Sequence, residues 1–458
     1  MSGKSFIYYR NNDLKRVLDL LANDHCVAVI GLSNFGKSVL LRALQTPDVM
    51  QHLQARIGMP SLFVYVDCNR MLELSPRGFY EATLRAVLEM LIAIDDPLRA
   101  QVDAQYRIVV SPPNDFAVPL AFNDALVTLV ESGGRRVVLL LDEFDQVLDG
   151  IETRVLLNLR ALRDRYGAAL SYVTATIAPL AQGRQDDDVA EFAELFDASK
   201  VFLGPLSAQE TRSMAAALFA AAGDSLDEAE SAFVAAQAGG HPGLIQAVVQ
   251  TLLQVESGAP GRFQQQAFEL ANAALEHDRL IGNELARLWA QLSSTEQQAV
   301  IDLVTLDRLP KEMRPVLEQR GLLRPPEDGA DSPQLFSQLF ARFVRRQALH
   351  RRERPSGVWI DTDSGEVWVD GYAVPTLTDL EYRLLLLLYG RLDKLCDKFQ
   401  LVEAVWGQEY IDDVDDARIE KLVSRLRAKL EDHPGAARYL VTLRGRGYRL
   451  SSTPEAIS

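Results

Sequence analysis

The sequence predicts a multidomain α/β protein whose parallel-sheet core comes first and whose later segments are helical or built from helices and short hairpins. Three observations carry this reading. A glycine-rich loop joins an apolar strand-like run to a helix-like run near the N-terminus, and strand and helix patterns alternate from residue 6 to about residue 205. From residue 207 the strands give way to alanine-rich helices and then to groups of helices with a hairpin. At 458 residues the chain has length for roughly three or four domains.

The loop is Gly31-Leu-Ser-Asn-Phe-Gly36-Lys37-Ser38, which satisfies G-x-x-x-x-G-K-[ST]. It follows residues 26–30, an apolar run that reads as a buried strand, and opens residues 39–44, which read as a helix. Glycine lets the backbone fold around phosphate so that successive N–H groups point inward at a helix mouth, where the dipole favours negative charge. The expected nucleotide-binding set is Gly31, Ser33, Asn34, Phe35, Gly36, Lys37, Ser38 and Val39. Lys37 would neutralise the β- and γ-phosphates, and the Ser38 hydroxyl would ligate Mg²⁺.

Residues 136–142 form a second apolar run, ending in Asp142, Glu143 and Asp145. In a parallel sheet covered on both faces, ligands bind beyond the carboxyl ends of such strands. Asp142 is then expected in the Mg²⁺ sphere. Glu143 is expected to orient or deprotonate the attacking water, although these acids also suit the start of the next helix. Further strands are expected at residues 62–67, 169–176 and 200–203, and helices at 79–94 and 154–165. Thr174 and Thr176 stand where a polar side chain senses the γ-phosphate, and are equally ordinary β-branched strand residues.

Composition narrows the function classes. The apolar runs fall far short of the ~18 residues of a membrane helix, and the N-terminus lacks a charged leader followed by an apolar segment, so a cytoplasmic protein with no membrane role is expected. Cys26, Cys68 and Cys396 stand singly, which argues against a disulfide framework or a zinc site. The net charge of −15 speaks against a surface coated for nucleic acid, so any such contact needs a local basic patch.

Beyond the core, Gly239-Gly240-His241-Pro242-Gly243 breaks the alanine-rich helices, with Pro242 suited to a first helical turn. Ser293-Ser-Thr-Glu296 reads as a capping box, residues 321–323 as the start of a strand, residues 325–333 as a turn-rich tip and residue 335 onward as an amphipathic helix. Three helices and one hairpin make an internal winged helix. The basic, proline-containing residues 351–356 read as a linker.

Tyr8-Tyr-Arg10, Val64-Tyr-Val-Asp67-Cys68, the Asp142 strand end, Asn158 to Asp164, Gly240-His241-Pro242 and Phe336 to Val344 together resemble the AAA-like STAND family of signal-transduction ATPases, over residues 1 to about 350. The resemblance implies a P-loop domain (1–205), a helical lid (206–285) and an internal winged helix (286–350) that close on ATP or ADP. It further implies Tyr8 and Arg10 near the adenine, with His241 and Pro242 contacting nucleotide from the lid. No repeat array of the kind many members use as a sensor is present in the sequence.

The C-terminal residues 357–452 read as short antiparallel strands, a helix capped by Thr378 with Glu381 at its third position, a second helix through Trp406, a third from Asp416, and a hairpin from Tyr439 to Leu450. This segment resembles the OmpR-type winged-helix DNA-binding domain of response regulators, which implies a recognition helix in the major groove and a wing in the minor groove. Arg418, Lys421 and Arg425 on the third helix, with Arg444 and Arg446 at the wing, are the expected contacts with double-stranded DNA. A solvated helix face is the alternative.

The full expectation is a P-loop parallel-sheet ATPase core, helical lid, internal winged helix and C-terminal winged helix, working as a slow ATP-dependent switch on transcription. A nucleotide-dependent homo-oligomer and an unidentified signal or protein partner fit the same pattern. A nucleotide-driven assembly or defence ATPase whose terminal winged helix binds protein, and a DNA-remodelling AAA-type motor, are the alternatives.

Overall fold

Helix α1 (Asn11–Ala22) leads into β1 (Val27–Ile30), and the glycine-rich loop then turns the chain into α2 (Lys37–Ala43). The computed structural model describes residues 10–94, 96–182, 187–258, 264–324, 333–352, 357–361, 365–375, 377–407, 416–430, 439–443 and 445–453. The chain forms two compact units, Met1–Leu292 with Leu309–Ala341, and Ser293–Arg308 with Arg342–Ser458.

In the first unit the α/β alternation continues through α3 (Pro47–Ile57), β2 (Ser61–Asp67), α4 (Pro76–Ala93), α5 (Arg99–Val110), α6 (Ala117–Val127) and β3 (Arg136–Asp142). It closes with α7 (Asp145–Gly150), α8 (Thr153–Tyr166), β4 (Leu170–Thr176), α9 (Asp187–Ala193) and β5 (Lys200–Phe202). The strands form one sheet in the order β2-β3-β4-β1-β5, parallel throughout. Successive side chains leave opposite faces of a strand, and the two cores follow that period. Val27, Val29, Val138, Leu140, Val173 and Val201 pack with α1, α2 and α3. Ala28, Ile30, Val137, Leu139, Leu141 and Tyr172 pack with α4, α6 and α8. Every residue of β3 is therefore buried, as a continuous apolar strand in a doubly covered sheet must be.

After β5 the chain becomes helical: α10 (Ala208–Ala221), α11 (Glu228–Ala238), α12 (Pro242–Gly258), α13 (Gln264–His277) and α14 (Arg279–Ala290). Capping boxes start α10 at Ser207/Glu210 and α11 at Asp227/Glu230. Gly239 ends α11 with φ +59°, and a Cβ there would stand 1.8 Å from the Phe336 carbonyl oxygen. Only glycine allows that backbone approach. Pro242 then opens α12 as expected.

The expected capping box at Ser293/Glu296 starts α15 (Ser294–Leu306), followed by α16 (Met313–Gln319) and α17 (Gln338–Arg352). The strand expected after Gly321 is reduced to a single antiparallel bridge, Leu323↔Leu335, and residues 325–332 of the tip expected at 325–333 lie outside the described residues. Gly321 itself sits at φ +71° with the Gly204 Cα 2.6 Å from where its Cβ would be, so this segment starts as a turn packed on backbone rather than as extended strand. Helix α16 and the bridge belong to the first unit, and α15 with most of α17 to the second.

The second unit continues with β6 (Val358–Ile360), β7 (Val367–Val369) and β8 (Tyr372–Ala373), an antiparallel sheet in that order. Helices α18 (Asp379–Gly390), α19 (Lys398–Val405) and α20 (Asp416–Leu430) precede the antiparallel hairpin β9 (Leu440–Leu443) and β10 (Gly447–Leu450). Thr378 and Glu381 form the expected capping box of α18. Ile419, Leu422, Val423, Leu426 and Leu430 line one face of α20 and bury against α18, α19 and the strands, which makes a winged-helix core.

Candidate functional site

The loop after β1 owes its shape to two left-handed residues, Asn34 at φ +59° and Gly36 at φ +93°. Gly36 caps α2, and a Cβ on it would meet the Arg10 Nε at 3.3 Å. Arg10, almost fully buried, donates to the Phe35 carbonyl and, at 2.6 Å, to the Gly204 carbonyl, and pairs with Asp13 at 2.9 Å. It thus clamps the outside of the loop to the end of the sheet. Lys37 is 4% exposed and turns its Nζ to the Gly31 carbonyl at 2.8 Å. Burial lowers its pKa, opposed by the carboxylates of Glu143, Asp145 and Asp142.

Those acids come from the strand two places away. β4 lies between β1 and β3, pairing Thr176 with Ile30 on one side and Thr174 with Leu141 on the other. The loop, the end of β4 and Asp142 therefore meet at one edge of the sheet, the carboxyl edge where open α/β sheets bind ligands. Asp142 is 1% exposed; its Oδ2 accepts from the Tyr65 hydroxyl at 2.5 Å and its Oδ1 from the Glu143 N–H at 3.1 Å. Glu143 sits at φ +51°, an unusual backbone for a non-glycine residue, and burial raises its pKa. Asp145 accepts from the Ile177 N–H at 2.8 Å, and its carboxyl is likewise raised by burial.

The sensor candidates differ in what they can offer. Thr176 donates its hydroxyl to the Ala178 carbonyl at 2.8 Å. Thr174 Oγ1 is buried without a hydrogen-bond partner. Val39 is 54% exposed and its side chain is apolar, so only its backbone can serve a phosphate. Tyr8 lies outside the described residues.

Helix α14 reaches the same loop, a contact that sequence reasoning missed. Glu284 accepts from the Asn34 side-chain amide at 2.7 and 2.8 Å. Two helical turns on, Gln291 accepts from the Ser33 N–H at 2.9 Å and donates to the Ser33 hydroxyl. His241, fully buried, packs its ring 5.1 Å from that of Phe35, and Pro242 starts the helix behind it. Arg320, just past α16, donates to the carbonyls of Ile177 and Gln291 at 2.7 Å each and is close enough to lower the Lys37 pKa further. Arg163 points elsewhere: it holds Leu170 O at 2.7 Å at the opposite, N-terminal end of β4.

A divalent cation fits the donors present. Ser38 and the three carboxylates offer hard oxygens, and among the described residues no group of three or more His, Cys, Asp or Glu forms a cage of its own. Mg²⁺ characteristically takes one or two protein oxygens and completes its shell from phosphate and water.

In the second unit Arg418, Lys421 and Arg425 are exposed on α20 at i, i+3 and i+7, hence on one helix face, and Arg446 is exposed at the wing. Arg444 lies outside the described residues. Arg427 is spent internally on the Leu440 carbonyl at 2.8 Å, and Lys429 on Glu381 at 2.7 Å. A groove of about 510 Å³ runs between the starts of α19 and α20 and the wing; Lys398 and Asp416 in its wall pair at 2.8 Å.

The family described as Novel STAND NTPase 1 matches residues 2–353. This chain belongs to that family. A second family, described as Transcriptional regulatory protein, C terminal, matches residues 373–450. The STAND chain is 33% identical over 141 residues to the sensory transduction protein RegX3 of Mycobacterium leprae, an overlap of 29% of this chain and 70% of that protein. It is 29% identical over 144 residues to the uncharacterized transcriptional regulatory protein YrkP of Bacillus subtilis, covering 29% of this chain and 62% of YrkP. A Walker-type ATPase of Pyrococcus abyssi aligns with 73% of this chain and 95% of its own at 14% identity and a TM-score of 0.44. The protein thus joins a STAND NTPase domain to a C-terminal domain of the transcriptional-regulator type. No helix among the described residues is long and apolar enough to cross a membrane.

Proposed function

We propose that this STAND protein is a slow, ATP-dependent switch in the cytoplasm that regulates transcription by binding DNA through its C-terminal winged helix. One observation carries the switch: Glu284 of α14 and Gln291, just past its end, hydrogen-bond the phosphate loop itself, at Asn34 and Ser33. A nucleotide entering that loop must change the lid's hold on it. Lys37 would neutralise phosphate charge, and the loop N–H groups would cradle it at the mouth of α2. Ser38 and Asp142 would hold Mg²⁺, which supplies charge stabilisation for the phosphates when bound. Glu143, whose raised pKa makes it a stronger base than an ordinary carboxylate, would take a proton from the attacking water. Arg418, Lys421, Arg425, Arg444 and Arg446 would then meet duplex DNA, with an upstream signal and a possible homo-oligomer acting on the switch.

The test is Lys37→Ala in the full chain. Charged hydrogen bonds contribute roughly 1.5–3 kcal/mol each, so ATP affinity should fall at least tenfold or so. Genome-wide DNA capture with this variant and the wild type should give different occupancy. Unchanged ATP affinity refutes the nucleotide site, and identical occupancy refutes the coupling.

A further inference from the structure

We propose that Tyr65 is a positioning residue for Asp142, clamped by Arg42, so that a side chain outside both motifs sets how well the site takes a divalent cation. The inference rests on the nucleotide reading above and deepens it. β2 runs alongside β3 with Tyr65 beside Leu140 and Asp67 beside Asp142. From that place the Tyr65 phenol reaches diagonally to Asp142 Oδ2 at 2.5 Å. The phenol oxygen in turn accepts from the Arg42 guanidinium at 3.2 Å, and the guanidinium carbon lies 4.9 Å from the ring centre.

Asp142 is buried, so it cannot reorient by borrowing water, and each of its oxygens has one fixed donor, the phenol on Oδ2 and the Glu143 N–H on Oδ1. Two donors on two oxygens fix the carboxylate plane while each oxygen keeps a lone pair for a metal or its water. Arg42 stands one helical turn after Ser38 on α2. The helix that offers the Ser38 hydroxyl to the cation therefore also holds Tyr65, and the two metal-side groups are tied through Arg42 and Tyr65.

The experiment measures affinity for a fluorescent ADP analogue with the full-length protein, first in EDTA and then across a Mg²⁺ titration. Tyr65→Phe should leave the EDTA affinity within about twofold of wild type and move the Mg²⁺ midpoint up by ~10-fold or more, the usual effect of removing an outer-sphere partner of a metal ligand. Arg42→Gln should move the midpoint the same way by less, and it carries the test if Tyr65→Phe does not fold. A Tyr65→Phe midpoint equal to wild type overturns the proposal, as does an equal loss of affinity with and without Mg²⁺, which marks a packing role. The same titration separates the two readings. If wild type fails to bind the analogue, or Lys37→Ala binds it as wild type does, the nucleotide site itself is wrong. If those controls behave and only Tyr65→Phe titrates normally, the positioning role alone falls.

Discussion

Acidification should loosen the junction between the start of α12 and the glycine-rich loop, through His241. The ring is fully buried beside Phe35, its Nδ1 accepts from the Leu244 N–H at 3.2 Å, and the Glu284 carboxylate stands 3.6 Å from Nε2. Burial outweighs the backbone contacts of Ser33 and His241 that favour a charged ring and pulls the His241 pKa from 6.5 down to about 4. The group therefore stays neutral in the folded protein while the opened state takes up a proton as pH falls below 6.5. Stability tied to this group is complete above that value and is lost progressively as pH falls toward 4. A shift of that size corresponds to about 3 kcal/mol in full and about 2 kcal/mol between pH 7 and pH 5, at roughly 1.4 kcal/mol per unit. A two-unit chain does not unfold in one step, so a local measure is needed. Hydrogen exchange of the α12 amides gives the opening free energy of that helix, in wild type and in His241→Asn. The wild-type value should fall by about 2 kcal/mol over that pH range and the variant's by much less, whatever the variant's starting stability. Equal slopes in the two proteins would refute the assignment.

The remaining predictions concern turnover and DNA. Glu143→Gln should keep ATP binding while hydrolysis falls by ~10²-fold or more; undiminished hydrolysis would make Glu143 structural only. Arg446→Ala should weaken binding to all duplexes alike and reduce the salt slope by about one. Lys421→Ala or Arg425→Ala should instead relax sequence preference at a cost of roughly 1–3 kcal/mol, and parallel losses on every sequence would place these residues on phosphate rather than bases.

The turn between β1 and α2 and the buried strand ending at Asp142 were legible in the sequence because their determinants are contiguous. The glycines, Lys37 and Ser38 fall within one turn, and an apolar strand ending in acid announces the carboxyl edge of a sheet. Capping boxes at Ser293 and Thr378 were legible for the same reason, since both partners lie within three residues. The strand after Gly321 was over-read: two leucines after a glycine resemble a strand start, yet a single bridge suffices to hold them.

What sequence reading could not supply is the company the loop keeps. Ser33 meets Gln291 across 258 positions and Asn34 meets Glu284 across 250. Such pairs leave no periodic trace, because a polar residue on a helix reads as solvent-facing unless the fold brings a partner to it. Tyr65 did leave a trace, as a hydroxyl-bearing side chain in an apolar run two residues before an acid, half-buried with a hydroxyl that can reach a partner. That residue belongs to neither motif, yet its contacts join the helix carrying Ser38 to the strand carrying Asp142. A carboxylate buried to 1% exposure cannot rely on water to orient it, so groups that hold Asp142 in place are required wherever such an acid is to meet a cation.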